Sequence, residues 1–93
     1  MAVAVDATFR GTSLAQYDEA ITAMGLSPGG RHPGALFHWV TGTDDGFRVT
    51  DVWESKEKFE AFAQEQLGPM SEQIGLAAPE IRYIDVHCYM TGG

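Results

Sequence analysis

Ninety-three residues with six basic against thirteen acidic side chains carry a formal net charge of −7 at neutral pH. That length supports one modest core and excludes two domains with a cleft between them, so residues 1–93 are read as a single domain. The six basic residues, scattered from Arg10 to Arg82, form no electrostatic footprint for nucleic acid or an anionic membrane.

Cys88 is the only cysteine, which excludes an internal disulfide and a cysteine-based zinc site and fits a reducing, cytoplasmic setting. The start, Met1 to Asp6, has no basic region of the kind that opens a signal peptide. No run approaches the roughly eighteen apolar residues of a membrane span.

In chain order, Val3, Val5, Ala7 and Phe9 alternate with Asp6 and Thr8, the period of a strand over Ala2–Phe9. Ser13 with Gln16 three residues on has the pattern of a capping box. Leu14, Tyr17, Ile21 and Met24 then recur at helical spacing, and Gly25-Leu26 closes that helix. Ser27–Gly34 is a Gly- and Pro-rich loop. Ala35–Thr41 reads as a second strand, Thr43-Asp-Asp-Gly46 as a hairpin turn, and Phe47–Glu54 as a third strand.

Ser55 caps a second helix whose apolar stripe is Phe59, Phe62, Ala63, Leu67, Met70 and Ile74. Gly68-Pro69 should kink or restart it, because Pro69 has no amide hydrogen to give. Gly75-Leu76 ends it as Gly25-Leu26 ends the first. Ile81–Met90 is the last strand and Thr91–Gly93 a tail. The order β-α-β-β-α-β with right-handed crossovers predicts an α+β, ferredoxin-like sandwich: a four-stranded antiparallel sheet with two helices on one face.

The other face of that sheet has no helix to cover it. In the last strand Ile84, Val86, Cys88 and Met90 form an apolar row expected to meet the helices. Tyr83, Asp85, His87 and Tyr89 are therefore expected on the uncovered face. Large aromatics beside ionisable groups suit a pocket or a subunit seam. A second copy of the sheet is the expected cover, which would make a twofold homodimer.

This topology, with Asp51-Val-Trp-Glu-Ser55, Phe59, Phe62 and the closing Val86-His87-Cys-Tyr89, resembles the dimeric α/β-barrel superfamily. More closely, it is similar to the small proteins grouped with antibiotic biosynthesis monooxygenases. The resemblance implies a barrel built from two chains. It leaves the activity open among cofactor-independent quinone-forming monooxygenases, haem-degrading enzymes, cyclases and non-catalytic ligand-binding dimers, since fold does not choose a reaction.

His38, His87 and Asp51 are the candidate catalytic residues. An even-numbered hairpin loop puts His38 and Asp51 on one face, where the carboxylate could set the histidine tautomer and strengthen it as a base, whereas a three-residue loop reverses that parity. Trp53, Tyr83 and Tyr89 are the candidate substrate-binding residues for a small aromatic or hydrophobic ligand. Trp39, of opposite parity to His38, is expected in the core, and Cys88 on the core face.

Hydrogen-bonded interface groups are the alternative role for both histidines. Arg31 and His32 could close over an acidic ligand, but a flexible connector is the preferred reading of their loop. No helix carries a histidine for haem, the three histidines have no metal-ligand spacing, and no dinucleotide fingerprint is present. The expected chemistry uses no cofactor and no metal.

Overall fold

The computed structural model describes residues 2–91; Met1 and the Gly92-Gly93 end of the expected tail lie outside the described residues. Four strands, β1 (Val3–Arg10), β2 (Ala35–Thr43), β3 (Gly46–Trp53) and β4 (Glu80–Asp85), form one sheet in the order β2-β3-β1-β4 with antiparallel neighbours. Helix α1 (Leu14–Ala23) joins β1 to β2. A longer helical stretch joins β3 to β4. It comprises α2 (Lys56–Phe62), a π-helical segment (Ala63–Leu67) and α3 (Gly68–Ile74).

Local chemistry accounts for these boundaries. The Ser13 hydroxyl accepts from the Gln16 amide at 3.3 Å, while the Gln16 side chain accepts from the Thr12 hydroxyl rather than completing a capping box. Ser55 caps α2 by accepting from the Lys58 amide at 3.2 Å. Both helical stretches end alike. Gly25 and Gly75 take φ of 75° and 74°, and the leucine after each donates its amide five residues back, to the Ile21 and Ser71 carbonyls.

Pro69 lies in the first turn of α3, which follows the π-helical segment with no residue between them. The π turn before it carries the Gly68 amide to the Ala63 carbonyl, which widens the helix where the proline ring would crowd a carbonyl one turn back.

Register decides which side chains meet the helices. Val3, Val5, Ala7 and Phe9 pair with Trp53, Asp51, Val49 and Phe47, and paired residues share a face. That covered face holds two apolar clusters. Val3, Val5, Trp53 and Phe59 form one; Ala7, Phe9, Phe47 and Leu76 form the other. Aromatic contacts tie the helices down: Tyr17 meets Phe47 edge-on with centroids 5.4 Å apart, and Trp53 meets Phe59 at 5.7 Å.

The last strand runs opposite to its expected parity. Val5 pairs with Tyr83 and Ala7 with Ile81, so Tyr83 lies on the helix-covered face and Ile84 on the open one. Tyr83 packs edge-on against Phe59 at 6.1 Å, with the Lys56 ammonium 4.5 Å over its ring. The strand also stops at Asp85 rather than Met90. Val86 still donates its amide to the Ala2 carbonyl, but His87, Cys88, Tyr89 and Met90 follow outside the ladder. The apolar row that set the expected parity came mostly from Val86, Cys88 and Met90, which lie beyond the strand.

Trp39 pairs with Thr50, opposite in face to Asp51. It therefore stands on the open face and is 45% exposed, not in the core.

Candidate active site

The two apolar clusters leave a polar junction between them, at the middle of β2 and β3. The β2–β3 hairpin has a two-residue loop, Asp44-Asp45, and its register pairs His38 with Asp51. Both side chains rise from the covered face. His38 Nδ1 lies 2.5 Å from Asp51 Oδ1, and the Trp53 indole N–H donates to Asp51 Oδ2 at 3.2 Å. Asp51 is only 5% exposed, and each of its oxygens is held by one of these neighbours.

The other nitrogen of His38, Nε2, faces the Tyr17 hydroxyl at 2.6 Å. With Asp51 accepting from Nδ1–H, Nε2 carries the free lone pair and the tyrosine donates to it. Burial, then the charges of Asp51 and Asp18, push the Tyr17 phenol above its ordinary value, so it remains protonated at neutral pH. Tyr17–His38–Asp51 is thus a continuous line of hydrogen bonds drawn from α1, β2 and β3.

His32 completes the group. It comes from the loop that carries Arg31, and its ring lies 5.2 Å from that of His38, 5.6 Å from Trp53 and 5.0 Å from Phe62, centroid to centroid. Burial, reinforced by nearby His38 and opposed by Asp51, holds its pKa below the ordinary histidine value. Its Nδ1 is buried without a hydrogen-bond partner. Gly34 lets the loop come this close: it has φ of +100°, and a Cβ there would stand 2.8 Å from the Trp53 ring.

These groups border a cavity of about 750 Å³ between the sheet and the helices, lined by Tyr17, His32, His38 and Asp51 among apolar neighbours such as Phe62 and Met24. That volume is in the range of sites for drug-sized molecules. Tyr17, His32, His38 and Asp51 form one polar cluster in this lining, which also includes Asp18, Ser27 and Arg31. Such an arrangement can bind a mainly apolar molecule, fix one of its oxygens and move a proton.

The expected site residues divide accordingly. His38 and Asp51 are brought into direct contact. Trp53 backs the site, holding Asp51 and flanking His32. Tyr83 is on the same face, behind Phe59 and away from the cavity lining. His87 and Tyr89 lie beyond β4 and are exposed, so neither joins His38.

Two residues of the site were read otherwise from sequence. Tyr17 fits the apolar stripe of α1, and only its polar tip hints at a partner. His32 sits in a loop whose glycines read as a connector. As for metals, one ring nitrogen from each of His32 and His38 and one Asp51 oxygen lie within 4.8 Å of one another.

No family model and no curated protein matches the chain. Similar folds occur among solved structures. SnoaB, a cofactor-independent oxygenase from Streptomyces nogalater, is 17% identical over 98% of this chain and 97% of its own, with a TM-score of 0.61. A point variant of SnoaB gives 16% identity over the same shares and a TM-score of 0.60. A candidate antibiotic biosynthesis monooxygenase from Deinococcus radiodurans is 11% identical over 100% of this chain and 99% of its own, with a TM-score of 0.61. The chain therefore has the ferredoxin-like fold of these oxygenase-related proteins, from end to end.

Proposed function

We propose that the protein is a cofactor-independent oxygenase for a small hydroxylated aromatic or polyketide-type compound held between the sheet and the helices. The observation that carries this reading is the Asp51–His38–Tyr17 line in the lining of a mainly apolar cavity. The likeness to SnoaB, a cofactor-independent oxygenase, points the same way.

Asp51 holds the His38 tautomer with Nε2 unprotonated. A substrate proton, from a phenol or from a CH₂ activated by a neighbouring carbonyl, passes to Nε2. Tyr17 can relay it, giving its own proton to His38 as it takes the substrate's. The imidazolium forms beside the Asp51 carboxylate, which stabilises it.

The substrate anion then reduces O₂ by one electron, and recombination of the two radicals forms a carbon–oxygen bond. The resulting peroxide anion takes the proton back from the imidazolium, and the hydroperoxide so formed loses water to leave a carbonyl. The balance is CH₂ plus O₂ giving C=O plus H₂O. A cyclase or isomerase would share the first proton transfer and use the anion within the substrate.

The same reading places a second copy of the chain over the open face. Phe37, Trp39 and Ile84 stand there 50%, 45% and 44% exposed, a band of large apolar side chains that a twofold copy would bury.

The test is oxygen uptake with a panel of tricyclic phenols bearing an activated CH₂, comparing wild type with His38→Ala. Uptake that falls with His38→Ala supports the reading. Uptake unchanged by it removes His38 from the mechanism. Saturable binding without uptake or product makes the protein a ligand-binding module instead.

A further inference from the structure

We propose that His32, His38 and Asp51 form a binding site for one divalent transition cation of the zinc and cobalt kind, with the glycine-rich loop closing on it. This goes beyond the oxygenase reading and stands on different features. A nitrogen from each imidazole and a carboxylate oxygen already lie within 4.8 Å of one another. Ligand atoms around a four-coordinate ion with bonds of about 2.0–2.1 Å sit roughly 3.3 Å apart, so the His32 nitrogen would approach by about 1.5 Å at most while His38 Nδ1 and Asp51 Oδ1, now 2.5 Å apart, would open by just under an ångström. The group able to move is His32, carried on the loop of Gly29, Gly30 and Gly34.

Three further observations fit a cation. First, His32 Nδ1 is buried with no hydrogen-bond partner, and an orphaned buried ring nitrogen calls for an occupant. Second, the outer partners that orient metal ligands are in place. The Trp53 indole holds Asp51 Oδ2 and leaves Oδ1 facing His38, while Tyr17 holds the far nitrogen of His38.

Third, the proton inventory closes. A cation between His38 Nδ1 and Asp51 takes the place of the proton shared there. That proton moves to Nε2, and the Tyr17 hydroxyl turns from donor to acceptor. Two imidazoles with one carboxylate favour zinc, cobalt or nickel over magnesium or calcium, and they leave a coordination position open toward the cavity. Bound there, the cation occupies the nitrogen that positions His38 as a base, so the loaded protein is inhibited in metal-free proton transfer.

The experiment titrates chelator-treated protein with Co²⁺ alone and then Zn²⁺ alone, without substrate, reading cobalt visible absorption and heat of binding. One ion per chain is expected, with the intense absorption of four- or five-coordinate cobalt. His32→Ala and His32→Gln should each weaken binding at least about tenfold, and His87→Ala should leave it unchanged. Imidazole resonances of the wild-type protein should shift for His32 and His38 and not for His87, a reading that needs no variant to fold. A cobalt spectrum like that of the aqueous ion, or binding that survives both His32 substitutions, overturns the proposal. Because no turnover is measured, this result is independent of whether the oxygenase reading holds.

Discussion

Asp6 and Asp51 are neighbours across the sheet, both buried at 6% and 5% exposure, yet they lie on opposite faces and are neutralised differently. Asp6, on the open face, receives a fork from Arg48: Nε to Oδ1 at 2.7 Å and Nη2 to Oδ2 at 2.6 Å. A guanidinium does not release its proton in a protein, so this pair is a fixed structural charge pair. Asp51, on the covered face, faces an imidazole, whose ring nitrogens can each give or take a proton, and behind it a tyrosine. The difference in partner puts one buried carboxylate in a fixed ion pair and the other at the end of a line of hydrogen bonds.

The largest effect should come from breaking that line. Asp51→Asn removes the carboxylate that sets the His38 tautomer, and turnover of a true substrate should fall about 10²–10⁴-fold, measured as initial oxygen uptake at saturating substrate. A fall of less than threefold would make Asp51 as structural as Asp6.

The open face should respond in assembly instead. Phe37→Glu combined with Ile84→Glu places charges in the exposed apolar band, and sedimentation at micromolar concentration should shift from pair to monomer. A wild-type protein that already sediments as a monomer would remove the proposed cover of that face.

Trp53→Phe tests the support of Asp51 without touching His38. Leaving Oδ2 without its donor should lower stability by about 1–3 kcal/mol, read by urea unfolding.

Gly34→Ala, with φ of +100° and a 2.8 Å approach to Trp53, should cost about 1–3 kcal/mol by the same measurement. It should also draw His32 away from His38, seen in their imidazole resonances.

The smallest effect concerns acid. The Arg48 hydrogen bond, with its charge, holds the Asp6 carboxyl below its ordinary value of 3.8 against the opposing effect of burial. A depressed folded-state pKa means that the unfolded chain binds the proton more readily. The stabilisation is therefore present above pH 3.8 and lost as the pH falls through the lower folded value. Arg48→Met should move the acid-unfolding midpoint upward; an unchanged midpoint would show that the fork adds nothing to stability.

Much of the fold was legible because its signals are local. Alternation in β1, the serine caps, the paired Gly-Leu stops and the Asp-rich hairpin each act within a few residues. The His38–Asp51 facing was legible only up to the parity of the hairpin loop, which the pairing of Thr43 with Gly46 makes even. The last strand itself was legible, but its end and its facing were not. Its period-two row continued through Val86, Cys88 and Met90, but the ladder ends at Asp85, and where a ladder ends depends on the partner strand rather than on the row itself.

By itself, the sequence determined the order of elements and the four-stranded sheet they make, and tied the facing of His38 and Asp51 to the parity of the hairpin loop, because caps, turns and alternation are short-range physics. Only the tertiary structure decided that Tyr17 and His32 complete the site and that His87 and Tyr89 stand apart from it. Tyr17 is brought in by the docking of α1 against Phe47, and His32 by a loop that folds onto Trp53. Those approaches depend on packing between segments distant in the chain, for which no local spacing carries a signal.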